Sequence, residues 1–126
     1  MLELVFVYGT LLKGEVNHHL LSDAEYCGDY ITYPCYRMLH LGTYPGVVAG
    51  GSTAIKGEVY RVDTKGLVKL DRLEAYPRLY TRKLIPTDWG RAWIYLYRGS
   101  RYSRSVIPSG VWCGDTMSCR PFSLYS

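Results

Sequence analysis

The sequence predicts an α+β domain of about six strands and two helices, with a strand spacing that suits a small barrel. Three observations carry that expectation. A chain of 126 residues makes one compact domain, able to bury a core without disulfides or metal as staples. Its aromatic residues are 13 Tyr against 3 Trp and 2 Phe. A tyrosine ring buries while its hydroxyl needs a partner, which suits strands and half-wet cavities better than a dry helical bundle. The apolar runs are also short, and glycine or proline interrupts them repeatedly.

The elements follow in order. Leu4–Tyr8 is apolar, β-branched and aromatic, a buried first strand that stops at Gly9-Thr10. Asn17 offers a cap for a short helix to about Asp23. Cys27–Tyr33 and Tyr36–Leu41 read as strands separated by Pro34, Gly42-Thr43-Tyr44-Pro45-Gly46 as a turn, and Gly50-Gly51 as a further break. Lys56–Val62 reads as a strand. Asp63 or Thr64 then caps a helix from about Lys65 to Ala75, which Pro77 stops. Tyr80–Ile85 and Arg91–Tyr97 form a hairpin across Pro86–Gly90, and Gly99–Arg104 is a polar, basic loop. The domain is assigned to residues 1–112, and the weakly periodic segment 113–126 to a loosely packed tail.

Charge and cysteine usage narrow the function classes. The net charge is +4. The sets Arg78, Arg82, Lys83 and Arg98, Arg101, Arg104 form no continuous run and accompany no nucleic-acid motif, so a solvated surface is expected and nucleic acid is not. Cys27, Cys35, Cys113 and Cys119 form no Cys-x-x-Cys pair, and His18, His19 and His40 stand at no zinc-ligand spacing from them. No metal site is expected. Reduced thiols in a cytoplasmic protein are the default, with a Cys113–Cys119 bridge left open. The first eight residues lack a basic start and carry Glu3 inside the apolar stretch, unlike a signal peptide or a membrane span.

Two places can hold chemistry. In Val7-Tyr8-Gly9-Thr10-Leu11, a glycine directly after a buried strand lets a ligand approach the backbone closely. Successive N–H groups of such a turn can converge on a carboxylate or an oxyanion, with the Tyr8 and Thr10 hydroxyls on either side. The bland alternative is a strand ending in a tight turn. The second place is the helix. At about 100° per residue, with Leu67 at zero, Leu70 lies near ~300° and Leu73 near ~240°. Glu74 falls near ~340°, on the core-facing stripe, while Lys69 and Arg72 point away. Burial and the negative end of the helix dipole both raise a carboxyl's pKa toward the neutrality a general acid/base needs. The alternative is Glu74 turned to solvent or paired with Arg78 or Arg82.

These residues bring in a resemblance. The ordered set Val5-Phe6-Val7-Tyr8-Gly9-Thr10-Leu11 with Lys13-Gly14, Tyr44-Pro45-Gly46-Val47-Val48, Gly57-Glu58-Val59-Tyr60, Leu70-Asp71-Arg72-Leu73-Glu74 and Leu79-Tyr80-Thr81-Arg82 resembles the γ-glutamylcyclotransferase-like superfamily. It is most similar to the γ-glutamylamine cyclotransferase branch and its small bacterial relatives, over Leu4 to about Trp112. The resemblance implies a small mixed β-barrel with flanking helices and a cavity at the first turn. It implies that Tyr8, Gly9, Thr10 and Leu11 hold a γ-glutamyl moiety and that Glu74 is the catalytic carboxylate. The implied reaction is an intramolecular aminolysis: the substrate's α-amine attacks its own γ-carbonyl, giving 5-oxoproline and a free amine. Such a reaction asks for no metal or cofactor. Tyr80 and Tyr95 are candidate cavity walls, and Arg82 is expected at the surface. A non-catalytic module binding a γ-glutamyl or similar ligand on the same fold is the alternative reading.

Overall fold

The computed structural model describes residues 2–101 and 104–113. Eight strands run in chain order: β1 (Leu2–Val7), β2 (Glu25–Ile31), β3 (Tyr36–His40), β4 (Pro45–Ala49), β5 (Lys56–Asp63), β6 (Tyr80–Thr87), β7 (Gly90–Tyr97) and β8 (Ser105–Val106). One α-helix, α1 (Thr64–Leu73), and one 3₁₀ turn (His18–Leu21) join them. The expected α+β class with strands predominating holds.

β1 lies at the centre of a five-stranded mixed sheet ordered β2-β5-β1-β7-β6. It pairs antiparallel with β5 and parallel with β7. Both of its faces are covered, which is why Leu4–Tyr8 reads as an unbroken apolar run rather than an alternating one. Val5 and Val7 enter one buried cluster with Leu67 and Leu70 of α1. Phe6 and Tyr8 enter another with Met38 and Val47 of a three-stranded sheet, β4-β3-β8.

The strands form two sheets, and the larger one curls without closing a hydrogen-bonded barrel. Its opposite edges are bridged by a side chain instead. Trp89, at the tip of the β6–β7 hairpin, packs on the bare backbone of Gly28 in β2, where a Cβ would lie 2.5 Å from the indole. Pro86 falls within β6 itself, which an edge strand tolerates because its outer N–H groups have no ladder partner.

Several boundaries differ from the sequence reading: β2 runs over Glu25–Ile31 rather than Cys27–Tyr33, and β6 extends through Pro86 to Thr87. β4 begins inside the turn expected over Gly42–Gly46, where Pro45-Gly46 is turn chemistry. Here Gly46 serves close approach: a Cβ there would stand 2.9 Å from Tyr97 Cβ. The helix expected after Asn17 shrinks to one 3₁₀ turn, and the Asn17 side chain does not cap it; its Nδ2 donates to Thr10 Oγ1 at 3.0 Å. α1 is capped by Asp63, which accepts from the Gly66 N–H at 2.7 Å, but it ends at Leu73 rather than Ala75. The expected tail lies, from residue 114 onward and including Cys119, outside the described residues; Trp112 just before it is core.

Candidate active site

The turn after β1, the end of α1 and the walls of β6 and β7 meet at one small pocket. Tyr8, Gly9, Thr10, Leu11, Glu74 and Tyr80, all singled out in the sequence, line it together with Tyr95 and Pro45. Segments distant in the chain converge here because β1 pairs directly with β7 and α1 packs on the same face as Val5 and Val7.

The turn is built so that its carbonyls are occupied and its amides are free. The Gly9 carbonyl accepts from Leu12 N–H at 3.0 Å, and the Thr10 carbonyl from Asn17 N–H at 2.9 Å. His18 Nδ1 lies 2.9 Å from the Leu11 carbonyl. Among the described residues, the N–H groups of Gly9, Thr10 and Leu11 donate to no protein acceptor. Three consecutive amides without a protein acceptor beside the pocket are available to hydrogen-bond a ligand. Gly9 is required by contact, since a Cβ there would stand 2.8 Å from the Pro45 ring.

Glu74 is the C-cap of α1, directly after Leu73. The Ala75 N–H donates to the Arg72 carbonyl at 3.2 Å and the Tyr76 N–H to the Asp71 carbonyl at 2.9 Å, the paired bonds of a Schellman ending. Ala75 takes the left-handed position with φ 50°, where glycine is usual. That reversal leaves Glu74 on the side of α1 that carries buried Leu67 and Leu70. Its carboxyl has no hydrogen bond or salt bridge to any described residue. Desolvation pushes its pKa up to about 7. The residue still keeps some solvent contact, as a group that meets a ligand must.

Of the two cations the sequence offers as partners of Glu74, Arg78 is exposed and Arg82 is engaged elsewhere. Its Nε and Nη2 donate to Asp71 Oδ1 and Oδ2 at 2.9 and 3.1 Å. Its guanidinium lies 4.5 Å from the Tyr76 ring centre and 4.3 Å from that of Trp93. With 15% of its side chain exposed, Arg82 is a packed group and not the surface residue expected.

The tyrosines also differ from expectation in what their hydroxyls do. Tyr8 donates to the Tyr95 carbonyl at 2.7 Å and accepts from the Val47 N–H at 3.3 Å, so it braces the wall. Tyr80 donates to the Pro45 carbonyl at 2.7 Å. Tyr95 donates to Asp71 Oδ1 at 2.6 Å: it does orient a carboxylate, but the one a helical turn before Glu74. Burial first, and then neighbouring charge that includes Glu74, raises all three phenol pKa values, so these groups stay protonated donors. Asp71 and Pro45 were not singled out as site residues. The signal for Asp71 was its i, i+3 spacing from Glu74, which puts both on one side of the helix.

No group of three or more His, Cys, Asp or Glu side chains among the described residues is arranged to hold a metal ion. No helix there is long and apolar enough to cross a membrane.

Comparison with known proteins identifies the family of the chain. Residues 5–114 match the family model described as gamma-glutamyl cyclotransferase, AIG2-like. A Vibrio cholerae protein provisionally named a gamma-glutamylcyclotransferase is 47% identical over 113 residues, covering 90% of this chain and 97% of its own. The gamma-glutamylcyclotransferase family protein YtfP of Escherichia coli is 40% identical over 108 residues, covering 86% and 94%. Its solution structure matches with a TM-score of 0.71 over 87% of this chain and 96% of that one. A crystal structure of an uncharacterized Pyrococcus horikoshii protein matches with a TM-score of 0.75 at 28% identity, over 86% and 88%. The span, identity and shared fold together place the chain in the gamma-glutamyl cyclotransferase, AIG2-like family.

Proposed function

We propose that the protein cyclises γ-glutamyl amines or γ-glutamyl amino acids to 5-oxoproline, releasing the second amine, with Glu74 as general acid and base. One observation carries this reading: an unpartnered carboxyl with a pKa near 7 shares a pocket with three free backbone donors.

In this mechanism Glu74, ionised in about half of the molecules near pH 7, takes a proton from the substrate's α-ammonium. The freed amine attacks the γ-carbonyl carbon, and the carbonyl electron pair moves onto oxygen. The tetrahedral adduct sheds the second proton of its attacking nitrogen as it collapses, and the second amine departs with that proton and the one returned by Glu74, so the lactam nitrogen ends neutral. The nucleophile belongs to the substrate, so no protein nucleophile is needed. The Gly9–Leu11 amides bind the α-carboxylate or the oxyanion. Tyr8, Tyr80 and Tyr95 are fixed by their own hydrogen bonds and keep the pocket's shape around a curled chain. Holding that curl supplies much of the acceleration, since well-oriented intramolecular reactions gain on the order of 7–11 kcal/mol.

The test is an assay for 5-oxoproline over panels of γ-glutamyl amines and γ-glutamyl amino acids, with Glu74→Gln beside the native protein. Product from the native protein and none from the variant, which still binds substrate, is the expected result. Binding without product across both panels would instead make this a ligand-binding module. Normal turnover by Glu74→Gln would remove Glu74 from the mechanism.

A further inference from the structure

We propose that Asp71 is a positioning residue that works by occupying Arg82, keeping that cation off Glu74 so that the pocket carboxyl stays unneutralised. This rests on Glu74 being the proton carrier of the reaction above.

Asp71, which holds the Arg82 guanidinium, stands about one helical turn from Glu74. Asp71 and Glu74 stand three residues apart on α1, so they share a side of the helix. Arg82 lies on β6, two residues beyond Tyr80, and Tyr80 lines the pocket with Glu74. The Tyr95 hydroxyl marks the junction: it bonds Asp71 and lies within electrostatic reach of both Glu74 and Arg82. Asp71 holds Arg82 through bidentate geometry, which suits the planar guanidinium better than a single contact. Tyr76 and Trp93 hold the guanidinium in that orientation.

The remaining groups facing Glu74 do not neutralise it. From β1, β6 and β7 they are the phenols of Tyr8, Tyr80 and Tyr95, which stay protonated. On its own helix it is Asp71, engaged by Arg82, while Arg72 is exposed on another side. The His18 ring of the 3₁₀ turn is directed at the Leu11 carbonyl. Arg78 is exposed. Among the described residues, Arg82 is thus the partly buried cation that shares this corner of the fold with Glu74, and Asp71 is what holds it.

The test follows the titration of Glu74 directly, by carbon NMR of protein labelled at glutamate, with its signal assigned by its loss in Glu74→Gln. Three variants are compared: Asp71→Asn, Arg82→Met and the double variant. In Asp71→Asn the released guanidinium should lower the Glu74 midpoint by about one unit or more. The acid limb of kcat/KM should move down with it. In the double variant both should return close to native values, because the competitor is gone. Arg82→Met alone should leave the midpoint unchanged or higher, since Asp71 is then an uncompensated neighbour.

A purely structural Asp71 would instead lower stability or kcat in Asp71→Asn with the midpoint unmoved, and the second substitution would not restore it. Either finding overturns the proposal. If Asp71→Asn fails to fold, Arg82→Lys decides, since a lysine keeps the charge but loses the bidentate grip of Asp71. A Glu74 midpoint below native there supports the idea, and one at the native value rejects it. Turnover by Glu74→Gln would remove the functional reading, while the NMR titration would still report whether Asp71 withholds Arg82.

Discussion

The hydroxyl of Tyr8 donates a 2.7 Å hydrogen bond to the carbonyl of Tyr95, joining residues 87 positions apart in the chain. The same oxygen accepts from the Val47 N–H of the smaller sheet. One phenol thus fixes the end of β1, the middle of β7 and β4 around the pocket. Tyr8→Phe keeps the ring and leaves a buried carbonyl and a buried N–H without this partner. The expected loss is about 1–2 kcal/mol of stability, read from denaturant midpoints. An unchanged midpoint would mean that the hydroxyl contributes nothing to the frame.

Gly9→Ala should act through Pro45. The added methyl would stand 2.8 Å from the proline ring, which must shift, and Pro45 is both a wall of the pocket and the acceptor of the Tyr80 hydroxyl. Misplacing a binding wall by about 1 Å typically costs on the order of a hundredfold in rate. The variant should therefore lose at least about tenfold in kcat/KM for γ-glutamyl substrates while remaining folded by circular dichroism. Native kcat/KM in a folded variant would show that the turn does not need glycine.

Much of this site was legible in the chain because it rests on local pattern. The buried first strand, the glycine after it and the helical angle of Glu74 all follow from spacing, and they meet at one pocket. What was not legible depends on tertiary partners. Pro45-Gly46 reads as a turn until Tyr97 is seen pressing on Gly46. Arg82 reads as surface until Asp71, Tyr76 and Trp93 surround it. The Tyr8 hydroxyl reads as a ligand contact until the Tyr95 carbonyl is found to take it, and Tyr80, a candidate cavity wall, has its hydroxyl taken by the Pro45 carbonyl. Residue type tells that a tyrosine needs a partner, but not which partner the fold supplies.

Ala75 holds a left-handed conformation, φ 50°, directly after Glu74. A Cβ in that region costs about 1–2 kcal/mol. Ala75→Gly removes the strain but adds freedom to the unfolded chain, worth about 0.4–1 kcal/mol in the opposite direction. The net expectation is a gain of up to about 1 kcal/mol, whereas Ala75→Val, branched at Cβ, should lose more than about 1 kcal/mol. Urea midpoints compare the three proteins. A valine variant as stable as native would contradict the Schellman ending that places Glu74.

The raised pKa of Glu74 also makes a statement about stability. Its carboxyl titrates near 7 in the folded protein against 4.5 ordinarily. Between those values the folded state holds a proton that the unfolded chain has released, so stability from this group falls as pH rises. The contribution is fully present below about pH 4.5 and is lost by the time pH passes about 7, a span on the order of 3 kcal/mol. Glu74→Gln is neutral throughout and does not carry that loss. The stability of the variant relative to native should therefore rise steadily from pH 5 to pH 8, by on the order of 2–3 kcal/mol, and level off above. Taking the difference cancels the titration of groups the two proteins share. A difference that stays flat from pH 5 to pH 8 would mean that Glu74 titrates like an exposed carboxylate, ionised at every pH where the reaction runs. With no proton to return to the departing amine, it would have lost half of the role proposed for it.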